Sequence, residues 1–172
     1  MKIMTKKINF RITIEDSAER HPVPVLGTDY KVKIVYKNIK FAELDIEDKL
    51  IKISLPAKNK KMDNEKILDM AINKMYEEIA KVEVERAMEK TRLLVGFAPE
   101  DYEIKNIGDE LGRCVGDRII INPNVAKYSR NVIDYIVLHE YCHLKYKTHC
   151  KGFSKLIEKY QPNYLKYENL NI

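Results

Sequence analysis

The stretch Val132–Cys150, VIDYIVLHEYCHLKYKTHC, decides how the rest of the chain is read. Val132, Ile133, Ile136, Val137 and Leu138 recur at helical spacing, which predicts a helix opened by Ser129 as N-cap and running to Leu144. Within it lies HEYCH, with His139 and His143 four positions apart. On a helix such positions share one face, about 40° apart around the axis and one turn along it, so both imidazoles can reach a single ion at ~2.0 to 2.1 Å. Glu140 sits about 100° further round, beside such an ion rather than on it and within reach of a metal-bound water. The four residues before His139 carry no charge, as a helix that crosses a core requires.

This pattern divides the labour of an amide hydrolysis. Zinc lowers the pKa of a bound water towards ~7 and polarises a carbonyl oxygen, while a carboxylate takes the water's proton and passes it to the leaving amine. A catalytic zinc wants three protein ligands and one open position. The third candidate is His149, ten residues after His139, beyond the helix end and a short loop. Three of the chain's four histidines thus fall within eleven consecutive residues. The histidine positions match those of the metzincin signature, but Tyr146 stands where its turn glycine would be, so the loop must take another route. His21, before a proline and far from the cluster, reads as an exposed loop residue. Cys142 lies on the flank of the helix, about 100° from His143, and reads as a small buried residue. Tyr146, Tyr160, Tyr164 and Arg113 are candidate donors to a developing oxyanion, and nothing in the sequence chooses among them.

Upstream, the hydrophobic period changes twice. From Ile8 to about Lys58 apolar residues alternate, beginning with Ile8, Phe10, Ile12 and Ile14, which predicts an antiparallel meander with one buried face, its last strand ended by Pro56. From about residue 64 to 94, Leu68, Ile72, Met75, Ile79 and Val82 follow at spacings of three and four. They predict a long helix capped by Asp63 or Asn64 and stopped at Gly96. Its Glu-rich remainder, Glu77, Glu78, Glu83, Glu85 and Glu89, reads as a solvated outer face. Short segments then carry two or three strands, DYEIKNI, GRCV and DRIIINP, with Gly108, Gly112 and Gly116 as turn signals. A last short helix contains Phe153, Leu156 and Ile157 and is broken by Pro162. The fold class is α+β: a mostly antiparallel sheet, a long helix packed on it, and the HEYCH helix as the floor of a cleft.

Composition limits the alternatives. In 172 residues, 45% hydrophobic and 33% charged, a single domain with a sizeable core is expected, which excludes disordered and low-complexity classes. Within residues 1–172 the β-rich part spans about 1–62 and the helical, catalytic part about 63–172. The longest apolar runs fall short of a membrane span, and three cysteines, Cys114, Cys142 and Cys150, fit reduced thiols, so a cytoplasmic protein is expected. The net charge of +5, from 31 basic and 26 acidic side chains, is a mild bias and only weak support for a nucleic-acid partner.

From about Lys52 to Tyr164 the sequence resembles the YgjP-like metallopeptidases, a zincin-like family related in style to the SprT group. The resemblance is carried by IKISLP, the long helix, GRCVGDRIIIN, VIDYIVLHEYCHLKYKTHCKGF and KYQPNY. It implies a zincin-like fold with His139, His143 and His149 as zinc ligands and Glu140 as general base, acting on a protein or peptide substrate. The chain departs from the family where Leu111-Gly112-Arg113-Cys114 stands for Trp-Gly-Ser-Cys and Phe153-Ser154 for Phe-Trp. Two rival readings follow from the same residues. One is a DNA-associated protease of SprT type, with a clustered Lys/Arg face. The other is a non-catalytic zinc-binding interaction module, closed by Cys142 or Cys150 as a fourth ligand.

Overall fold

The computed structural model of the chain describes residues 8–10, 22–61, 64–167 and 169–172. Asp63, His21, Ile12 and Ile14, singled out in the sequence, lie outside them. The chain forms two compact units, Met1–Met75 and Tyr76–Ile172.

The first unit carries a five-stranded sheet of β1 (Ile8–Phe10), β2 (Val23–Val25), β3 (Thr28–Lys37), β4 (Ala42–Glu47) and β5 (Leu50–Pro56), in the order β1-β4-β5-β3-β2. The expected meander is corrected in one respect. β4 turns back onto β5 through a hairpin whose Asp48 and Lys49 both have positive φ, but β5 then pairs in parallel with β3, Ile34 opposite Ile53. Placing β5 between β4 and β3 surrounds its own alternating apolar residues, and Ile51, Ile53 and Leu55 are fully buried. The remaining pairings in this sheet are antiparallel.

The helix α1, Asn64–Val95, belongs to the first unit up to Met75 and to the second beyond it. Its buried side changes accordingly. Ile67, Leu68, Ala71, Ile72 and Met75 are buried before the division, and Ala80, Glu83, Val84, Ala87 and Met88 after it. Val82, seven residues beyond Met75 and so on the same side of the helix, is 62% exposed, which overturns its expected place in the core. Gly96, with φ +79, ends the helix as expected and its N–H donates to the Arg92 carbonyl at 3.0 Å.

In the second unit β6 (Asp101–Ile104), β7 (Gly112–Val115) and β8 (Arg118–Ile121) form a three-stranded sheet in the order β6-β8-β7, parallel between β6 and β8 and antiparallel between β8 and β7. Two helices follow, α2 (Arg130–Lys145) and α3 (Lys151–Tyr160). Ser129 occupies the N-cap of α2 but its side chain makes no capping hydrogen bond. α2 buries Ile133, Ile136, Val137 and Leu138 together with His139, Glu140 and Cys142.

A polar clamp fixes α2 against the second half of α1. Glu83, read from the sequence as part of a solvated face, is only 3% exposed. Arg86 Nε donates to it at 2.9 Å, Arg130 Nε donates to its two oxygens at 2.8 and 3.0 Å, and Arg130 Nη2 also binds it. Asp134 accepts from Arg86 Nη2 at 2.7 Å and Lys90 Nζ at 2.6 Å. Burial raises the Glu83 pKa, but the hydrogen bonds and charges of Arg130 and Arg86 outweigh it and leave the carboxyl below its ordinary 4.5. Glu83→Gln is expected to cost about 2 kcal/mol in urea unfolding at neutral pH, less than the ~3 to 5 kcal/mol of a fully buried pair because both guanidinium groups reach water. A depressed folded-state pKa gives stability that is present above the unfolded value and lost as pH falls through the folded one. The gap between wild type and variant should therefore hold from neutral pH to about 5 and narrow below 4.5. A gap that stayed constant through acid would show that the charge is not what stabilises the clamp.

Candidate metal centre

α2 carries His139 and His143 on one face and α3 follows a short loop that carries His149. The helix ends at Tyr146, whose N–H donates to the Cys142 carbonyl at 2.9 Å and whose φ of −128° is ordinary extended backbone. No glycine is needed at this turn, which answers how the loop proceeds without the one the metzincin pattern has. The space requirement moves to Gly152 in α3, where a Cβ would stand 2.6 and 2.9 Å from Cε1 and Cζ of the Tyr146 ring. The freed Tyr146 carbonyl lies 3.0 Å from His143 Nδ1. That nitrogen is then the N–H donor, and Nε2 of His143 is left with its lone pair.

The three Nε2 atoms of His139, His143 and His149 lie 3.1 Å from one another in every pairing. Each nitrogen has a single in-plane direction for a proton or a lone pair, so three of them converging on one point cannot satisfy one another. One cation could satisfy all three, and among the described residues these three histidines form the group able to hold one. Neither Cys142 nor Cys150 joins it. Cys142 is buried among Tyr135, Leu138, Phe153 and Ile157, and burial, with the charge of Glu140, pushes its thiol up to about 12. Cys150 is exposed.

Burial, then the charges of His143 and His149, lower the His139 pKa to about 3, and burial also lowers that of His143. Neutral imidazole is the form that binds a metal. Phe153, read from the sequence as an apolar helix residue and as the Phe of the Phe-Trp pair that here is Phe153-Ser154, packs against all three rings, with centroid distances of 4.9, 4.8 and 4.7 Å to His139, His143 and His149. Its apolar ring closes one side of the cluster to water.

Glu140 is 1% exposed. Burial and, second, the charge of Glu110 raise its carboxyl to about 8; a cation among the neighbouring imidazoles would act in the opposite direction. Gly112, read from the sequence as a turn signal, is instead the first residue of β7 and lies against Glu140: a Cβ there would stand 2.7 Å from Oε1, 3.0 Å from Cγ and 3.1 Å from Cδ. Gly108 and Gly116 are the turn residues, with φ of +77 and +61. A strand glycine without positive φ marks such a close approach.

The candidate oxyanion donors divide differently. Tyr146, Tyr160 and Tyr164 pack on the cluster around Tyr135 and Phe153, and Arg113 is exposed and held by both carboxylate oxygens of Glu110 at 2.8 and 2.9 Å. No helix among the described residues is long and apolar enough to cross a membrane.

Comparison with curated proteins gave no match. Two solved structures are similar over about half of the chain. One is the metallopeptidase zymogen of Pyrococcus abyssi abylysin, at 26% identity and a TM-score of 0.42, covering 46% of this chain and 80% of that one. The other is the metallopeptidase zymogen of Methanocaldococcus jannaschii jannalysin, at 18% identity and a TM-score of 0.44, covering 50% of this chain and 82% of that one. The YgjP-like family, a metallopeptidase domain, matches residues 2–170, well beyond the segment that carried the resemblance, and the chain belongs to that family.

Proposed function

We propose that the protein is a zinc-dependent peptidase in which His139, His143 and His149 hold the ion and Glu140 is the general base. The observation that carries this reading is the convergence of three Nε2 atoms at 3.1 Å, with a buried carboxylate on the next residue of the same helix. Three neutral imidazoles suit zinc, whose catalytic sites take three protein ligands and keep a fourth position open. When bound, the ion supplies Lewis acidity towards a carbonyl oxygen and a water molecule.

The chain's own residues do the rest. Tyr146 holds the His143 tautomer through its carbonyl, and Phe153 keeps the three rings together and excludes water behind them. Glu140 accepts the proton of the attacking water at its carboxylate and delivers it to the nitrogen of the leaving amine as the C–N bond breaks. A protein or peptide is the substrate class, in keeping with the family.

Three outcomes test this. Purified protein should hold one zinc per chain, lose casein cleavage on dialysis against a chelator and regain it with added zinc. Glu140→Gln should retain the metal and lose cleavage by about 10²- to 10⁴-fold. A variant that cleaves like wild type would remove Glu140 from the mechanism, and protein without zinc after metal-replete purification would remove the metal reading altogether. Gly152→Ala should weaken zinc binding by about tenfold in competition with a chromogenic chelator, because the added methyl displaces Tyr146, whose carbonyl orients His143. Unchanged affinity would mean that the Tyr146 contact does not set the ligand geometry.

A further inference from the structure

We propose that Gly112, held in place by Asn122, is a positioning residue that fixes the direction of the Glu140 carboxylate. This deepens the reading of Glu140 as general base and rests on it.

Three atoms of the Glu140 side chain lie where a Cβ on residue 112 would press: Oε1 at 2.7 Å, Cγ at 3.0 Å and Cδ at 3.1 Å. Contact with the flexible end alone could be relieved by a small rotation. Contact with Cγ and Cδ as well means that the whole distal side chain lies along the Gly112 Cα. Gly112 is a strand residue of β7 and does not have the positive φ of Gly108 or Gly116, so other residues could adopt its backbone conformation. What residue 112 must lack is the side chain. Its Cα is thus one wall of the space in which the carboxylate rests.

That wall is useful only if it is rigid, and Asn122 makes it so. Gly112 pairs with Ile121 across β7 and β8, and the next residue, Asn122, is 1% exposed. Its N–H donates to the Leu111 carbonyl at 2.9 Å. Its Nδ2 donates to the carbonyls of Gly108 at 3.0 Å and Glu110 at 2.8 Å, and its Oδ1 accepts from the Asn124 N–H at 3.0 Å. One side chain thereby ties the loop leading into Gly112 to the chain leaving β8. An aspartate could not replace it, since both amide hydrogens point at carbonyls and a carboxylate has none to give. The β7 backbone at residue 112 is fixed by its pairing with Ile121 and by this clamp on the residues just before it, and Glu140 packs onto it.

A base displaced by about 1 Å from its proton loses on the order of 10² in rate. The test uses full-length protein loaded with zinc, fluorescein-labelled casein as substrate, and Gly112→Ala, Asn122→Asp, Glu140→Gln, Glu140→Ala and the double variant Gly112→Ala/Glu140→Ala. Gly112→Ala is expected to lower kcat about 100-fold with apparent KM within about threefold and one zinc per chain retained. Asn122→Asp should lower kcat about tenfold, also with zinc retained.

Thermal unfolding separates positioning from a general need for glycine in the strand. Gly112→Ala should lower Tm by about 5 °C in wild type and leave it unchanged in the Glu140→Ala background, where the atoms it presses on are gone. If Gly112→Ala fails to fold while the double variant folds, the same coupling is shown in stronger form. Equal loss in both backgrounds, failure of both to fold, or wild-type kcat in Gly112→Ala would overturn the proposal while leaving an inactive Glu140→Gln, and with it the general base, untouched. A fully active Glu140→Gln would overturn the parent reading and this one together.

Discussion

The second unit is organised around one constraint: α2 is buried as a core helix and still carries polar side chains on its buried side. His139 and Glu140 are both buried, in line with Ile136 and Val137. Taking an ionised imidazole or carboxylate out of water is costly, and proteins answer by neutralising the group or by giving it a partner. Burial takes His139 down to about 3 and Glu140 up to about 8, so the environment favours the neutral form of each. A neutral imidazole is a metal ligand. The same burial that would be a liability for an ordinary helix leaves His139 in the form that the proposed metal site needs.

The neighbouring elements are arranged to make that burial tolerable. Phe153 places an apolar ring against all three imidazoles, which removes water from behind them without offering a competing hydrogen bond. β7 offers backbone rather than a side chain to Glu140. The start of α2 is held by charge instead, through Arg130 on Glu83 and Asp134 on Arg86 and Lys90. Apolar and glycine contacts thus surround the histidines and Glu140, and ion pairs stay at the start of the helix, where one member of each reaches water.

This division explains what was legible in the sequence. The α+β class, the extent of α1, the three short strands and α2 follow from period and punctuation, and the structure gives α1 as Asn64–Val95 and the strands as Asp101–Ile104, Gly112–Val115 and Arg118–Ile121. The triad His139, His143, His149 was legible because helical spacing and one loop bring their nitrogens together. The partnering of β5 with β3 was not, since alternation gives each strand two faces but no neighbour. Val82 and Glu83 were misplaced for a single reason: the buried side of α1 changes after Met75, and a periodicity carried on from Leu68 cannot register that. Gly112 stood among three similar glycines, and only the strand pairing separates the one that needs space from the two that need positive φ.

The loop between His143 and His149 shows how a departure from a known pattern can be absorbed. A tyrosine at residue 146 would be incompatible with a turn requiring glycine there, but here the helix simply ends in extended backbone at that residue. The tyrosine ring must then lie somewhere, and it lies over residue 152, where a Cβ would overlap it. Glycine is therefore still required by the loop, displaced from the turn into α3. The exchange also gains a hydrogen bond, because the carbonyl released at the helix end is the acceptor for His143 Nδ1. Tyr146 is thus tied to the site through its backbone, while its side chain determines which residue, three positions after the third histidine, has to be small.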